Sequence, residues 1–148
     1  MHGIVERSSQ TLFDSVSITV SQTGTEERQP RTDEDWEAVQ HAALTLAEST
    51  NLIMMPGRRV ARPEEENTSA DPSELTPAQI QVKIDANRDL WVKHVTQLQT
   101  VALQAMKITT DRNVQALWDI GEPIDQACES CHLEFWYPND VRPPAPGQ

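Results

Sequence analysis

The chain has 148 residues, of which 37% are hydrophobic, 24% charged and only 5% aromatic, with 5 glycines. That describes one ordinary domain, large enough to bury a continuous core and too poor in glycine and aromatics for an all-β fold. The 23 acidic and 12 basic residues leave a net charge of −11, which repels phosphate backbones and anionic lipid surfaces and so argues against nucleic-acid or peripheral-membrane binding.

In chain order, the first amphipathic segment predicts a helix over about 1–20. Met1, Val5, Ser8, Leu12 and Val16 fall on one stripe, widened by Ile4 and Phe13. Ser21 to Arg31 is polar, contains Gly24 and Pro30, and reads as a loop. A second helix is expected over 33–54. Thr32 or Asp33 caps it, and Asp33, Glu34 and Asp35 put negative charge in its first turn. Trp36, Val39, Ala43, Leu46 and Ala47 form its apolar face, and Pro56-Gly57 ends it. The uncharged run Leu52-Ile53-Met54-Met55 is far too short to cross a bilayer, so no membrane insertion is expected.

Arg58 to Glu74 is charged and turn-rich, and reads as a solvated surface crossover. Thr76-Pro77-Ala78-Gln79 then carries a capping box with proline in the first helical position. It opens a third helix, over about 77–109. Ile84, Trp91, Leu98 and Ala105 recur every seven residues, with Val95 and Ala102 between them, the period of helices packed at a shallow angle. A fourth helix over about 112–137, capped by Thr110 or Asp111, carries Val114, Leu117, Trp118, Ile124, Cys128, Cys131 and Phe135. Pro123 beside Gly121 predicts a kink or a restart within it. Residues 138–148 form a Pro-rich tail. The expectation is a single all-α domain over 1–148, an antiparallel four-helix bundle with a long crossover between helices 2 and 3.

The specific chemical motif is Cys128-Glu129-Ser130-Cys131-His132. Two thiols three residues apart on a helix share a face and can reach the two vinyl groups of a haem, and the following imidazole can be directed at the iron. These are the only two cysteines, and chance would give this spacing with a following histidine roughly once in a few thousand placements. Three other uses of the pair fit less well. A thioredoxin-like dithiol wants a strand before its helix, and no βαβ pattern exists here. A structural zinc needs four ligands, and His2, His41 and His94 show no paired spacing with the cysteines. A disulfide inside one helix is strained.

With this motif near the C-terminus of four amphipathic helices, the chain resembles the cytochrome c prime family of four-helix-bundle monohaem proteins. The specific part is Cys128 to Tyr137, with the helical remainder in support. The resemblance implies one covalent haem c attached after export, a periplasmic location and often a homodimer. No signal peptide is visible before the amphipathic segment, and the expected export goes with a signal removed before residue 1 or with a chain that is a fragment. Where the family commonly has a basic residue, four positions after the histidine, this chain has Trp136, which makes the proximal surroundings more apolar.

In the family, the residue on the open side of the iron comes from the first helix. Methionine there gives a six-coordinate electron carrier, and leucine or a similar residue leaves a five-coordinate iron that binds gases. Alignment of the first-helix stripes puts Met1 at that position, as candidate distal ligand to His132's proximal one. His2 is the runner-up, about 100° round the helix. Val5, Leu12 and Phe13 would line the distal pocket, a role hard to separate from ordinary core packing.

Met54, Met55 and Met106 read as core or helix-end residues, and His41 and His94 as surface or structural histidines. Trp91 and Trp118 are candidates to pack on the porphyrin or simply to fill the core. Arg58, Arg59 and Arg62 read as solvated, with pairing to haem propionates the less favoured assignment.

With no acid, base or nucleophile constellation, the expected function is non-enzymatic: one-electron transfer through the haem to a redox protein with a basic docking patch. The alternative is a five-coordinate protein that binds nitric oxide or carbon monoxide in gas binding or nitrosative-stress protection.

Overall fold

The computed structural model describes residues 3–21, 24–68 and 71–138. The chain is mostly helical, with one small antiparallel sheet. Helix α1 (Val5–Ser15) leads into strands β1 (Ser17–Ser21) and β2 (Gly24–Arg28). Helices α2 (Asp33–Met54), α3 (Pro77–Ala86), α4 (Arg88–Thr110), α5 (Val114–Asp119) and α6 (Gly121–Phe135) follow, with a 3₁₀ turn at Pro63–Glu65 in the crossover.

The two capping boxes form as the sequence predicts. At α2 the Asp35 N–H donates to the Thr32 hydroxyl at 3.1 Å while Asp35 Oδ2 accepts from the Thr32 N–H at 2.9 Å. At α3 the Gln79 N–H donates to Thr76 Oγ1 at 3.3 Å, and Gln79 Oε1 accepts from the Thr76 N–H at 2.8 Å. Each box satisfies two backbone donors that a helix start leaves open.

Elsewhere the expected boundaries need correction. The first helix stops at Ser15 rather than continuing to Val20. Val16, Ile18, Thr19 and Val20 are β-branched, stiff in a helix and at ease in a pleated strand, and they enter the hairpin instead. β1 pairs with β2 in the register Ile18↔Glu27 and Val20↔Thr25, so part of the expected loop over 21–31 is strand. All five residues of β2 are exposed, and Val16 at its base is buried.

The third helix is broken at Asn87. Its side-chain amide donates to the Lys83 carbonyl at 2.9 Å, a local bond that competes with helix continuation, and its φ of −129° and ψ of 45° end α3. The fourth helix starts at Asn113, whose Oδ1 accepts from the Ala116 N–H at 3.0 Å, rather than at Thr110 or Asp111. It restarts at Gly121. In an unbroken helix Pro123 would leave the Asp119 carbonyl without its donor and clash with it; the restart puts the proline in the first turn of α6.

Two buried clusters hold the domain together. The first joins α1, α2, α5, the later part of α4 and the early part of α6 through Leu12, Leu46, Leu98, Leu117 and Ile124, with Ala43, Ala47, Ala102 and Ala105 between the helices. The second gathers Ile80, Ile84, Trp91, Val95, Cys131 and Phe135 where α3, the start of α4 and the end of α6 meet. The seven-residue seam of Ile84, Trp91, Leu98 and Ala105, with Val95 and Ala102, is buried throughout. α2 packs chiefly on α4 and α1, and α4 also packs on α6. Among the described residues no helix is long and apolar enough to cross a membrane.

Candidate functional site

The later part of α6 is a run of good helix-forming and small residues, and Ser130 Oγ donates back to the Ala127 carbonyl at 3.1 Å. On this helix Cys128 stands three and four residues before Cys131 and His132, and Phe135 four and three after them, so the four share one side. Cys131 and Phe135 are buried; Cys128 and His132 are half-buried. The helix is tied down past its end, where the Leu75 N–H donates to the Trp136 carbonyl at 2.8 Å and the Tyr137 hydroxyl donates to Glu129 Oε2 at 2.8 Å.

That face looks into a cavity of about 1290 Å³. Cys128, Cys131 and His132 all line it, with Asp125 further back along α6. α1 contributes Val5, Glu6, Ser9 and Phe13; α4 contributes Trp91, His94, Val95 and Leu98. The crossover closes the remaining side with Arg58, Arg59, Val60 and Arg62, followed by Glu65, Glu74 and Leu75. Small-molecule and cofactor sites commonly occupy about 300–1,000 Å³, so a flat, large ligand such as a tetrapyrrole has room here.

Aromatic rings stiffen the wall beside the histidine. Trp91 meets Phe135 edge to face at 5.1 Å and stacks on Trp136 at 6.3 Å with 23° between planes. His132 lies 5.7 Å from Trp136 and 5.9 Å from Tyr137, centroid to centroid. Trp136 therefore lies against the imidazole.

Both thiols are held protonated. Burial, reinforced by Asp125 and Glu129, pushes Cys128 up from 9.0 to about 11. Burial, with Cys128 and Glu134 adding to it, pushes Cys131 up to about 12. A dithiol exchanging with disulfides needs one thiolate poised near neutral pH, and this environment works against it.

The predicted site residues divide. Val5 and Phe13 face the cavity, whereas Leu12 is buried in the first cluster and does not line it. The two stripes on α1 explain the split: Ser8 and Leu12 turn to the core, and Val5, Ser9 and Phe13, about 100° away, turn to the cavity. Met1 and His2 lie outside the described residues. Met54, Met55 and Met106 do not line the cavity, and His41 is exposed beside Glu37, 4.0 Å away. Trp91 lines the cavity, and Trp118 packs on the first cluster.

Two contributors were not expected from the sequence. His94 is half-buried on the cavity wall, with Nδ1 3.3 Å from Ser130 Oγ between the two cysteines and its ring edge-on to Phe135 at 6.0 Å. Its place on the same seam as Trp91 and Leu98, one turn from each, was the available signal. The arginines of the crossover are exposed, in keeping with a solvated segment, and they also line the cavity, which composition did not indicate.

Among the described residues no group of three or more His, Cys, Asp and Glu side chains gathers to hold a metal ion on its own. Compared with protein-family models, curated proteins and solved structures, the chain finds no match in any of the three.

Proposed function

We propose that this chain is a periplasmic c-type cytochrome that carries one covalent haem and passes single electrons. The observation that carries the reading is that Cys128, Cys131 and His132 open together into one cavity large enough for a tetrapyrrole. In this reading α1, α2, α4 and α6 are the four helices of an antiparallel bundle of the cytochrome c prime kind, and the segment between α2 and α4, with α3 in it, is the long crossover.

The haem, once bound, supplies a reversible one-electron change at its iron. Cys128 and Cys131 would anchor it by two thioether links, each S–H adding across a vinyl group, and their burial keeps them as thiols. His132 would offer the iron an imidazole nitrogen, and Trp136 and Tyr137 limit how far its ring can turn. Trp91, Phe135 and Val95 keep water from one side of the cavity. The net charge of −11 steers the protein toward a redox partner with a basic patch.

A second reading is favoured by the wall of α1. Its described residues on the cavity are Val5, Glu6, Ser9 and Phe13, none of them a thioether or imidazole, which suits an iron left open to nitric oxide or carbon monoxide. Met1 as sixth ligand belongs to the electron-carrier reading.

Expression with a haem-attachment system tests both. The expected product has the mass of the polypeptide plus one haem and an intense Soret band, and Cys128→Ser/Cys131→Ser loses both completely. A low-spin reduced spectrum insensitive to carbon monoxide selects the electron carrier, and loss of that signature in Met1→Ala would assign the ligand. A high-spin spectrum that shifts on carbon monoxide selects the gas-binding form. A product with the bare polypeptide mass ends both readings.

A further inference from the structure

The crossover holds three of the chain's arginines within five residues, Arg58, Arg59 and Arg62, and all three line the cavity. In a chain with 23 acidic and 12 basic residues such a cluster is out of keeping with the rest of the surface. Arg59 is paired with Glu66. Arg58 and Arg62 make no ion pair among the described residues, although Glu65 and Glu74 lie on the same wall.

We propose that Arg58 and Arg62 are the anion-binding edge of this cavity and receive the two carboxylates of its ligand. The inference rests on the haem reading above and adds the direction in which the ring must lie. On a protoporphyrin the propionates leave the ring on the side away from the vinyl groups. If the vinyl side is fixed at Cys128 and Cys131, the carboxylates point away from α6, toward α1, α4 or the crossover. α1 offers Glu6, Ser9 and apolar side chains, and α4 offers Trp91, His94, Val95 and Leu98. The crossover alone offers guanidinium groups, which match carboxylates in charge and in fork geometry. Glu6 on α1 and Asp125 on α6 would repel the same carboxylates, as would Glu65 and Glu74 on the crossover, so the choice rests on the guanidinium groups. The arginines are exposed, so the ligand finds them without a desolvation penalty and each contributes modestly.

The test uses mesohaem, whose ethyl groups cannot react with thiols, and its dimethyl ester, each titrated into the full haem-free chain and followed by the Soret band. The diacid is expected to bind about three- to tenfold more tightly than the diester. That preference should vanish in Arg58→Gln/Arg62→Gln and return in Arg58→Lys/Arg62→Lys. Equal affinities in the wild-type chain, or a preference that survives the glutamines, overturns the proposal. If neither porphyrin binds, the holoprotein decides. Trypsin, to which the Arg62–Pro63 bond is closed, should cut after Arg58 more slowly, relative to Arg28 on the exposed hairpin, than in Cys128→Ser/Cys131→Ser; equal relative rates overturn the proposal. A haem-bearing protein with indifferent arginines leaves the parent reading standing, whereas a chain that never acquires haem removes both.

Discussion

The cluster around Leu46 and the cluster around Trp91 are built from different materials. In the first, Ala43, Ala47, Ala102 and Ala105 sit on facing helices and let α2 and α4 approach closely, with Leu46, Leu98 and Ile124 filling what remains. In the second, Trp91, Phe135 and Trp136 brace one another through their rings, and the space beside them stays open as the cavity. Small residues close a helix interface, whereas large rigid ones can hold a wall away from its neighbour. The same helices, α4 and α6, take part in both, so a change of side chain along one helix separates a structural end from an end able to hold a ligand.

Substitutions at the two ends should therefore separate stability from site properties. The largest effect is expected for Phe135→Ala, which removes a fully buried ring from the aromatic wall. It should cost about 3–5 kcal/mol of unfolding free energy in urea melts and also disturb the environment of His132. Leu46→Ala should cost about 3 kcal/mol, yet leave the optical spectrum of the haem-loaded protein unchanged, because the residue lies wholly in the alanine-rich end. An altered spectrum in Leu46→Ala would erase the distinction between the two clusters.

The thiols sharpen it from the other side. With Cys128 raised to about 11 and Cys131 to about 12, alkylation by iodoacetamide at pH 8 in the haem-free chain should run about a hundredfold slower than for an unfolded control. The sign of the linked pH effect follows. The folded chain holds its thiol protons more tightly than the unfolded one, so this contribution favours folding progressively less as pH rises above 9.0 toward the shifted values. Urea midpoints between pH 8 and 11 should fall more steeply than in Cys128→Ser/Cys131→Ser.

The smallest effects belong to the far end of α2. Thr32→Ala should cost about 1 kcal/mol through loss of the cap, with no change at the cavity. Asp35 is held below its ordinary value of 3.8 by the backbone N–H groups of Thr32 and Arg31, so its support for the fold is present above that value and is lost as pH falls through the lowered one. The gap in urea midpoint between wild type and Asp35→Asn should close on acidification below pH 3.8.

Much of this was legible where local chemistry and burial agree. The seam from Ile84 to Ala105 and both capping boxes could be read because period and cap residues demand one structure. The motif at Cys128 could be read from spacing, since three- and four-residue intervals on a helix place side chains together whatever the rest does. The end of α1 was misread because Leu12 and Val16 continue the apolar stripe while the β-branched residues beyond them favour strand. The break at Asn87 depends on one side-chain hydrogen bond, which leaves no trace in periodicity. The crossover is solvated as its composition indicates, but its place beside the cavity depends on long-range contacts such as Leu75 to Trp136, which composition does not encode.

The stacked indoles of Trp91 and Trp136, 6.3 Å apart and 23° from parallel, are near enough for their electronic transitions to couple. Such a pair gives a signed doublet in circular dichroism that changes when either ring tilts. The protein thus carries an intrinsic chiroptical gauge at the wall of its cavity, readable with no label attached.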